Sequence, residues 1–188
     1  MIHFYTNREI ANRLEINLAR WKRWSRSFLP PDPLGGMQSG YARQYAFKDL
    51  CKVFLGGHLV SQLKLMIPES RQVLADLTPW LKEHGYFDSN GPNGACPPRS
   101  QKQGTVRIYV RRMRSEDAHT SSFGYLIRRV VASTVDTSAD HRMTVETIRE
   151  WILNTDDHDG GTFLQAPGVH LINLTPLFDR LREKLAGR

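Results

Sequence analysis

The key to this fold lies in residues 17–31, which read NLARWKRWSRSFLPP. On a helix that turns about 100° per residue, the aromatic side chains of residues 17–28 fall together on one side. These side chains are Trp21, Trp24 and Phe28. The basic side chains fall on the opposite side, and they are Lys22, Arg23 and Arg26. Because no acidic residue interrupts this segment, we predict a helix that buries its aromatic side and offers only cations on the other.

Local signals mark both ends of this helix. Asn17 is a favourable N-cap, because its side chain can accept hydrogen bonds from the free amides of the first turn. Pro30-Pro31 ends the helix, because proline has no amide hydrogen and restricts the residue before it. A short turn through Glu15-Ile16 precedes the helix.

A capping signal also predicts the helix before the turn. Thr6 is followed three residues later by Glu9, the spacing of a capping box, so a first helix should begin at Asn7. Its apolar positions are expected to be buried. They are Ile10, Ala11 and Leu14.

Beyond the prolines, the sequence predicts a glycine-rich loop or hairpin and then two more helices. The loop covers residues 34–41, LGGMQSGY. A third helix is predicted over residues 47–63, although Gly56 and Gly57 weaken it by up to about 1 kcal/mol each relative to alanine. A fourth helix should begin at Pro68, a favourable first helical residue, and run to about Glu83.

A polar segment divides the chain. Residues 88–103 read DSNGPNGACPPRSQKQ and contain no Val, Ile, Leu or aromatic residue, so they cannot bury a core. We predict an all-helical N-terminal domain over residues 1–87, a linker over 88–103 and a small C-terminal domain over 104–188. The predicted fold class is α+β.

The C-terminal domain is predicted to mix strands and helices and to serve assembly or sensing. Residues 105–113 alternate apolar and polar, and a strand over 123–134 would complete an antiparallel hairpin. Thr144 can cap a helix that runs to about Leu153, and residues 169–173 read as a strand. Thr175-Pro176 opens a last amphipathic helix. Its buried positions are expected to be Leu177, Phe178, Leu181 and Leu185.

The composition describes a basic globular chain. Its 188 residues include 26 Lys and Arg against 19 Asp and Glu, for a formal net charge of +7. Such a balance favours polyanionic partners, because cations at phosphates release counterions. The sequence has no apolar run near the roughly 18–20 residues that cross a bilayer, and it begins without the pattern of a signal peptide. With only two cysteines, we expect a protein of a reducing cytoplasm.

The remaining candidate sites carry little chemistry. The spacing of residues supports no catalytic arrangement, so we expect no enzyme activity and no cofactor. Residues 156–161, DDHDGG, include potential metal ligands, but adjacent side chains diverge, and we expect a solvated loop without a metal. Cys51 lies among apolar residues and should be buried, whereas Cys96 should be exposed.

Residues 5–80 resemble the DNA-binding head of the mercury-resistance regulator (MerR) family. The resemblance lies in the order of five elements. The first three are a first helix with Ala11, a turn at Glu15-Ile16 and a second helix with Trp21, Lys22 and Trp24. The fourth is the stop at Leu29-Pro30-Pro31 with the following GYARQY of residues 40–45, and the fifth is the helix start at Ile67-Pro68-Glu69. The resemblance implies a winged helix-turn-helix domain. Residues 17–28 would be its recognition helix and residues 34–46 its wing.

The resemblance also implies a transcriptional regulator that binds double-stranded DNA. The residues predicted to bind DNA are Asn17, Arg20, Lys22, Arg23, Arg26, Tyr41 and Arg43. Cations of the helix would contact phosphates and base edges, and Arg43 would reach the adjacent backbone or the minor groove. Tyr41 and Tyr45 would pack the wing, each with a hydroxyl free for a phosphate.

Several alternatives stay open. One small head gives modest affinity, so pairing two half-sites predicts a homodimer, through the C-terminal hairpin or the last helix; no effector is identified. The chain could instead be an architectural or excision-type factor of a mobile element, which bends DNA without sensing anything. It could also be a basic docking module of a protein or RNA complex.

Two arginine pairs pose a separate question. Arg111-Arg112 and Arg128-Arg129 could form a second basic surface for DNA if their strands pair. The interpretation that we favour is a solvated outer face, partly neutralised by Glu116, Asp117 and nearby carboxylates.

Overall fold

The computed structural model describes residues 4–32, 43–88, 104–113, 122–138, 141–157 and 159–187, without the side chains of residues 134–143. Helices and two antiparallel sheets occur together in these residues, which confirms the α+β class. The chain divides into two compact units, residues 1–98 with 180–188, and residues 99–179. Residues 180–188, which the sequence placed in the C-terminal domain, therefore belong to the first unit.

The helices of the first unit begin and end close to the predicted residues. They are α1 (Asn7–Leu14), α2 (Leu18–Phe28), α3 (Phe47–Ser61) and α4 (Ile67–Glu83). Both predicted N-caps form: Thr6 Oγ1 accepts a hydrogen bond from the amide of Glu9 at 3.3 Å, and Asn17 Oδ1 accepts one from the amide of Ala19 at 2.9 Å. Two short strands, β1 (Tyr5–Thr6) and β2 (Gln44–Tyr45), pair antiparallel beside them.

Helix α3 has no side chains where the aromatic side of α2 packs on it. A Cβ atom at Gly57 would lie 2.4 Å from Cε3 of Trp24, and one at Gly56 would lie 2.6 Å from Cδ2 of Phe28. Such distances are far inside van der Waals contact, so a side chain at either position would overlap a ring. The two glycines, which the sequence predicted only to weaken α3, are therefore what allows the two helices to approach.

We expect Gly57→Ala to destabilise the first unit by about 1–3 kcal/mol, because overpacking against Trp24 outweighs the higher helix propensity of alanine. Chemical denaturation of both proteins measures this change. In a Trp24→Leu background, where the ring is absent, the same substitution should be neutral or stabilising. An increase in stability from Gly57→Ala alone would contradict the packing described here.

The second unit is built on a four-stranded antiparallel sheet of order β5-β4-β3-β6. Its strands are β3 (Thr105–Met113), β4 (Ser122–Ser138), β5 (His141–Leu153) and β6 (Val169–Asn173). The predicted hairpin is confirmed, with Ile108 opposite Ile127. Helix α5 (Gly160–Gln165) lies between β5 and β6, and α6 (Leu174–Ala186) follows β6 and confirms the predicted last helix.

The predicted helix from Thr144 to Leu153 is wrong, because these residues form most of β5. Half of the ten residues are β-branched (Thr144, Val145, Thr147, Ile148 and Ile152), and such side chains lose rotamer freedom in a helix and suit a strand. Strand β4 pairs with β5 along its length, from Tyr125 opposite Leu153 to Thr134 opposite Thr144 and beyond. This long-range pairing outweighs the local capping signal.

The acidic segment after β5 is engaged in structural contacts. Asp157 forms an ion pair with Arg111 of β3, and Asp159 caps α5 by accepting a hydrogen bond from the amide of Thr162 at 2.8 Å. Across the described residues, no three His, Cys, Asp or Glu side chains are placed to hold a metal ion.

Two further features of the sequence can be compared with the structure. Cys51 is fully buried, as predicted, whereas Cys96 lies outside the described residues. Among the helices that the structure describes, none has the length and apolar character needed to cross a membrane.

Candidate nucleic-acid interface

Helix α2 is held to the first unit by its two tryptophans. Trp21 is fully buried and Trp24 is 8% exposed. The ring of Trp21 meets that of Tyr45 edge-on, with centroids 5.7 Å apart. The predicted burial is therefore confirmed for both tryptophans, whereas Phe28 is half-buried. The large apolar contacts of the tryptophans fix how α2 is rotated about its own axis.

The opposite side of α2 is exposed and basic. Its exposed cations are Arg20, Lys22, Arg23 and Arg26. In the described part of the chain, none of these four side chains forms an ion pair with a carboxylate. Arg26 Nε donates a hydrogen bond to the carbonyl of Lys22 at 3.2 Å, one turn earlier on the same helix. The charges of this surface are thus not neutralised by acidic groups of the described residues.

A broad concavity lies beside α2. It is bordered by the start of α1, by β2 and by the segment that follows α2. Its volume is about 1290 Å³. The charged side chains on its wall are Arg8, Lys22, Arg26, Arg43 and Asp32. Four cations against one carboxylate give the wall a net formal charge of +3. A concave surface of one sign concentrates its electric field and attracts anions.

Arg43 is fixed at this concavity by contacts within its own unit. Its guanidinium donates a hydrogen bond to the carbonyl of Pro30 at 2.9 Å and lies over the ring of Tyr45, 5.6 Å from the centroid. An arginine has five N–H donors, so these contacts leave donors for an anion. The side chain therefore connects the end of α2 to β2 while it contributes charge to the wall.

The hydroxyl of Tyr45 is used inside the protein. It lies 2.8 Å from Oδ1 of Asn7 and 3.0 Å from Oγ of Ser25, and Tyr45 is only 1% exposed. The prediction that this hydroxyl is free for a phosphate is therefore wrong, because β2 packs deeper than its sequence indicates. The hydroxyl instead ties β2 to both α1 and α2, and so helps to shape the concavity.

The structure brings together part of the predicted DNA-binding set. Lys22, Arg26 and Arg43 line one concavity, whereas Asn17, Arg20 and Arg23 lie elsewhere on α2 or at its start. Arg8 was missed, because it lies on α1, and only the tertiary packing of the first unit brings α1 to the concavity that α2 lines. Tyr41 and most of the predicted wing over residues 34–46 lie outside the described residues.

The turn between α1 and α2 is supported from the chain's last helix. Glu15 has a φ of 55° and a ψ of 40°, a left-handed conformation that costs a non-glycine residue about 1 kcal/mol or more. Lys184 of α6 pairs with the carboxylate of Glu15, and Arg13 donates a hydrogen bond to the carbonyl of Leu185. These contacts stabilise the turn that sets the direction of α2.

The hydrogen bond from Lys184, and then its charge, lower the pKa of Glu15 below the usual range of a glutamate. Because the folded pKa lies below the unfolded one, the pair adds stability that is present above the unfolded pKa and lost as the pH falls through the folded pKa. We expect Lys184→Gln to raise the pKa of Glu15 toward its usual range, measured by an NMR titration of the side-chain carboxyl. Lys82→Gln, at an exposed lysine of α4, is the control, and an equal pKa in wild type and Lys184→Gln would contradict the pairing.

Two of the four arginines of the second unit that were candidates for another basic surface have acidic partners. Arg128 pairs with Glu150 at 2.6 Å. Arg111 pairs with Asp157 and stacks over the ring of Phe163, 4.6 Å from its centroid. These contacts support the interpretation that acidic groups neutralise Arg111 and Arg128. The carboxylates that do so are Asp157 and Glu150, which the sequence analysis did not name. Glu116 and Asp117 lie outside the described residues.

No protein-family model matches the chain, and no curated protein matches it with significant similarity.

Proposed function

We propose that this chain binds double-stranded DNA through a winged helix-turn-helix head in residues 1–87, as a transcriptional regulator of MerR-like type. In this proposal α1 and α2 form the helix-turn-helix, and α2 is the recognition helix that enters the major groove. The observation that carries the proposal is the division of α2, in which buried tryptophans lie opposite exposed cations without described carboxylate partners.

The concavity supports a phosphate-binding role beside the groove. Its cations come from different elements, with Arg8 on α1, Lys22 and Arg26 on α2 and Arg43 just before β2. Cations from several elements around one concave wall suit a DNA backbone that runs past the recognition helix. Each phosphate contact releases counterions, so binding would be strongly dependent on salt.

We further propose that the chain acts as a homodimer on two half-sites, because one head of this size makes few base contacts. In this proposal the regulator binds its DNA in the cytoplasm and has neither enzyme activity nor a cofactor.

The test compares nucleic acids that carry the same number of phosphates, so the duplex has half as many base pairs as the single strands have nucleotides. Fluorescence anisotropy with a random duplex, a single-stranded DNA and a single-stranded RNA should give the highest affinity for the duplex. Selection from random duplexes should then yield paired half-sites, with a molar mass for the complex of two chains per duplex. Equal affinity for RNA and duplex, or affinity for neither, would overturn the proposal in favour of a docking module. Strong bending without sequence preference would overturn it in favour of an architectural factor.

A further inference from the structure

The exposed side of α2 has two parts, and only one of them faces the concavity. Lys22 and Arg26 line the concave wall, whereas Arg23 does not. Counted at about 100° per residue, Arg23 lies about 60° further around the helix than Arg26. We call the part that includes Arg23 the crest of α2.

The crest carries one small apolar residue among the cations. Ala19 is exposed and lies between Arg26 and Arg23 around the helix, about 20° from the first and 40° from the second. It precedes Arg23 by four residues, so the two side chains share one face. Ala19 and Arg23 are thus a methyl group and a guanidinium presented together at the N-terminal part of α2.

The backbone at this position is held in place. The amide of Ala19 donates to Asn17 Oδ1 at 2.9 Å, and the amide of Arg20 donates to the same atom at 3.2 Å. The residues in the first turns of a recognition helix are the ones that reach base edges. A methyl side chain allows the helix to approach the base pairs closely, and alanine is a suitable partner for the thymine methyl group.

We propose that Ala19 and Arg23 determine sequence specificity, with Ala19 contacting the C5 methyl of a thymine and Arg23 donating to O6 and N7 of a nearby guanine. This inference rests on the proposed function. Four residues advance about 6 Å along the helix axis, and successive bases on a strand are about 3.4 Å apart along the duplex. The half-site therefore contains a thymine and a guanine one or two base pairs apart, while the concavity binds phosphates without regard to sequence.

The experiment changes single atoms of the DNA. In a duplex selected with the wild-type chain, each thymine is replaced in turn by deoxyuridine, which removes only the methyl group, and each guanine by 7-deazaguanine, which removes N7. One thymine replacement should lower affinity about three- to fourfold, the effect of one buried methyl group. Loss of the guanine contact should cost about tenfold or more.

Variants then assign each effect to a residue. In Ala19→Gly the ratio of affinities for thymine and deoxyuridine should fall to about one, a ratio that a general loss of helix stability does not change. Ala75→Gly, at an exposed alanine of α4, should keep the wild-type ratio. In Arg23→Lys the sensitivity to 7-deazaguanine should fall at one guanine. Tight duplex binding with no deoxyuridine-sensitive thymine, or with a sensitivity that persists in Ala19→Gly, would overturn this inference alone; absence of duplex binding would overturn the proposed function with it.

Discussion

The double variant Lys22→Ala/Arg26→Ala should bind a duplex with a single half-site about 100-fold more weakly than the wild type at a salt concentration of about 0.1 M. Each side chain lines the concavity without a described carboxylate partner, and a hydrogen bond to a charged group contributes about 1.5–3 kcal/mol, or roughly tenfold or more in affinity. The slope of log affinity against log salt should become less steep by about 1.8, the equivalent of two phosphate contacts.

The control for this variant removes one positive charge elsewhere, against two in the double variant. Lys82 is an exposed lysine near the end of α4 and does not line the concavity. Lys82→Ala should change the affinity by less than about twofold and the salt slope by less than about 0.3, since a distant charge contributes little once it is screened. Equal losses in the two variants would contradict a localised phosphate site and would indicate a general effect of net charge.

Removing the anchor of α2 should have the largest effect on stability. Trp21 is fully buried and contacts the ring of Tyr45, so Trp21→Ala should destabilise the first unit by about 3–5 kcal/mol. The corresponding fall in Tm is roughly 12–20 °C for a unit of about 100 residues. Thermal unfolding followed by near-ultraviolet circular dichroism measures it, and hydrogen exchange assigns the loss to residues of the first unit.

A conservative variant separates packing from hydrogen bonding at this position. The indole Nε1 of Trp21 is buried and has no hydrogen-bond partner in the described residues. Trp21→Phe removes this unsatisfied donor and keeps most of the apolar volume, so it should cost clearly less than Trp21→Ala. Similar losses in both variants would contradict this account of the anchor, and a stable Trp21→Ala protein would contradict it outright.

Local chemistry was enough to predict the helices of the first unit. The caps at Thr6 and Asn17 and the proline stop after Phe28 act over a few residues, and the structure has them where the sequence indicates. The aromatic and basic sides of α2 follow from a single helical period. These local signals agree with the structure because the packing of the first unit favours the same helices.

The wrong predictions concern residues whose structure depends on contacts with residues distant in the sequence. Strand β5 pairs with β4 over most of its length, and no local pattern in residues 144–153 reveals this partner. The Tyr45 hydroxyl is engaged because β2 lies against Asn7 and Ser25. The need for glycine at position 57 becomes clear only when the ring of Trp24 is placed against α3.

The same reason limited the prediction of the candidate site. Helical periodicity identifies the cations of α2, because they lie on one element. It cannot identify Arg8, which joins the concave wall from another helix. It also cannot separate Lys22 and Arg26, which face the concavity, from Arg23 on the crest.

The salt dependence of duplex binding by the intact chain is the most direct measure of whether α2 and its concavity bind a phosphate backbone. Anisotropy titrations of one duplex at several salt concentrations give the slope of log affinity against log salt. Four cations at phosphates in each head, Arg8, Lys22, Arg26 and Arg43, predict a slope of about −3.6 for one head on a single half-site and about −7.2 for a dimer on two half-sites. A slope near zero, or no duplex binding at low salt, would contradict the account.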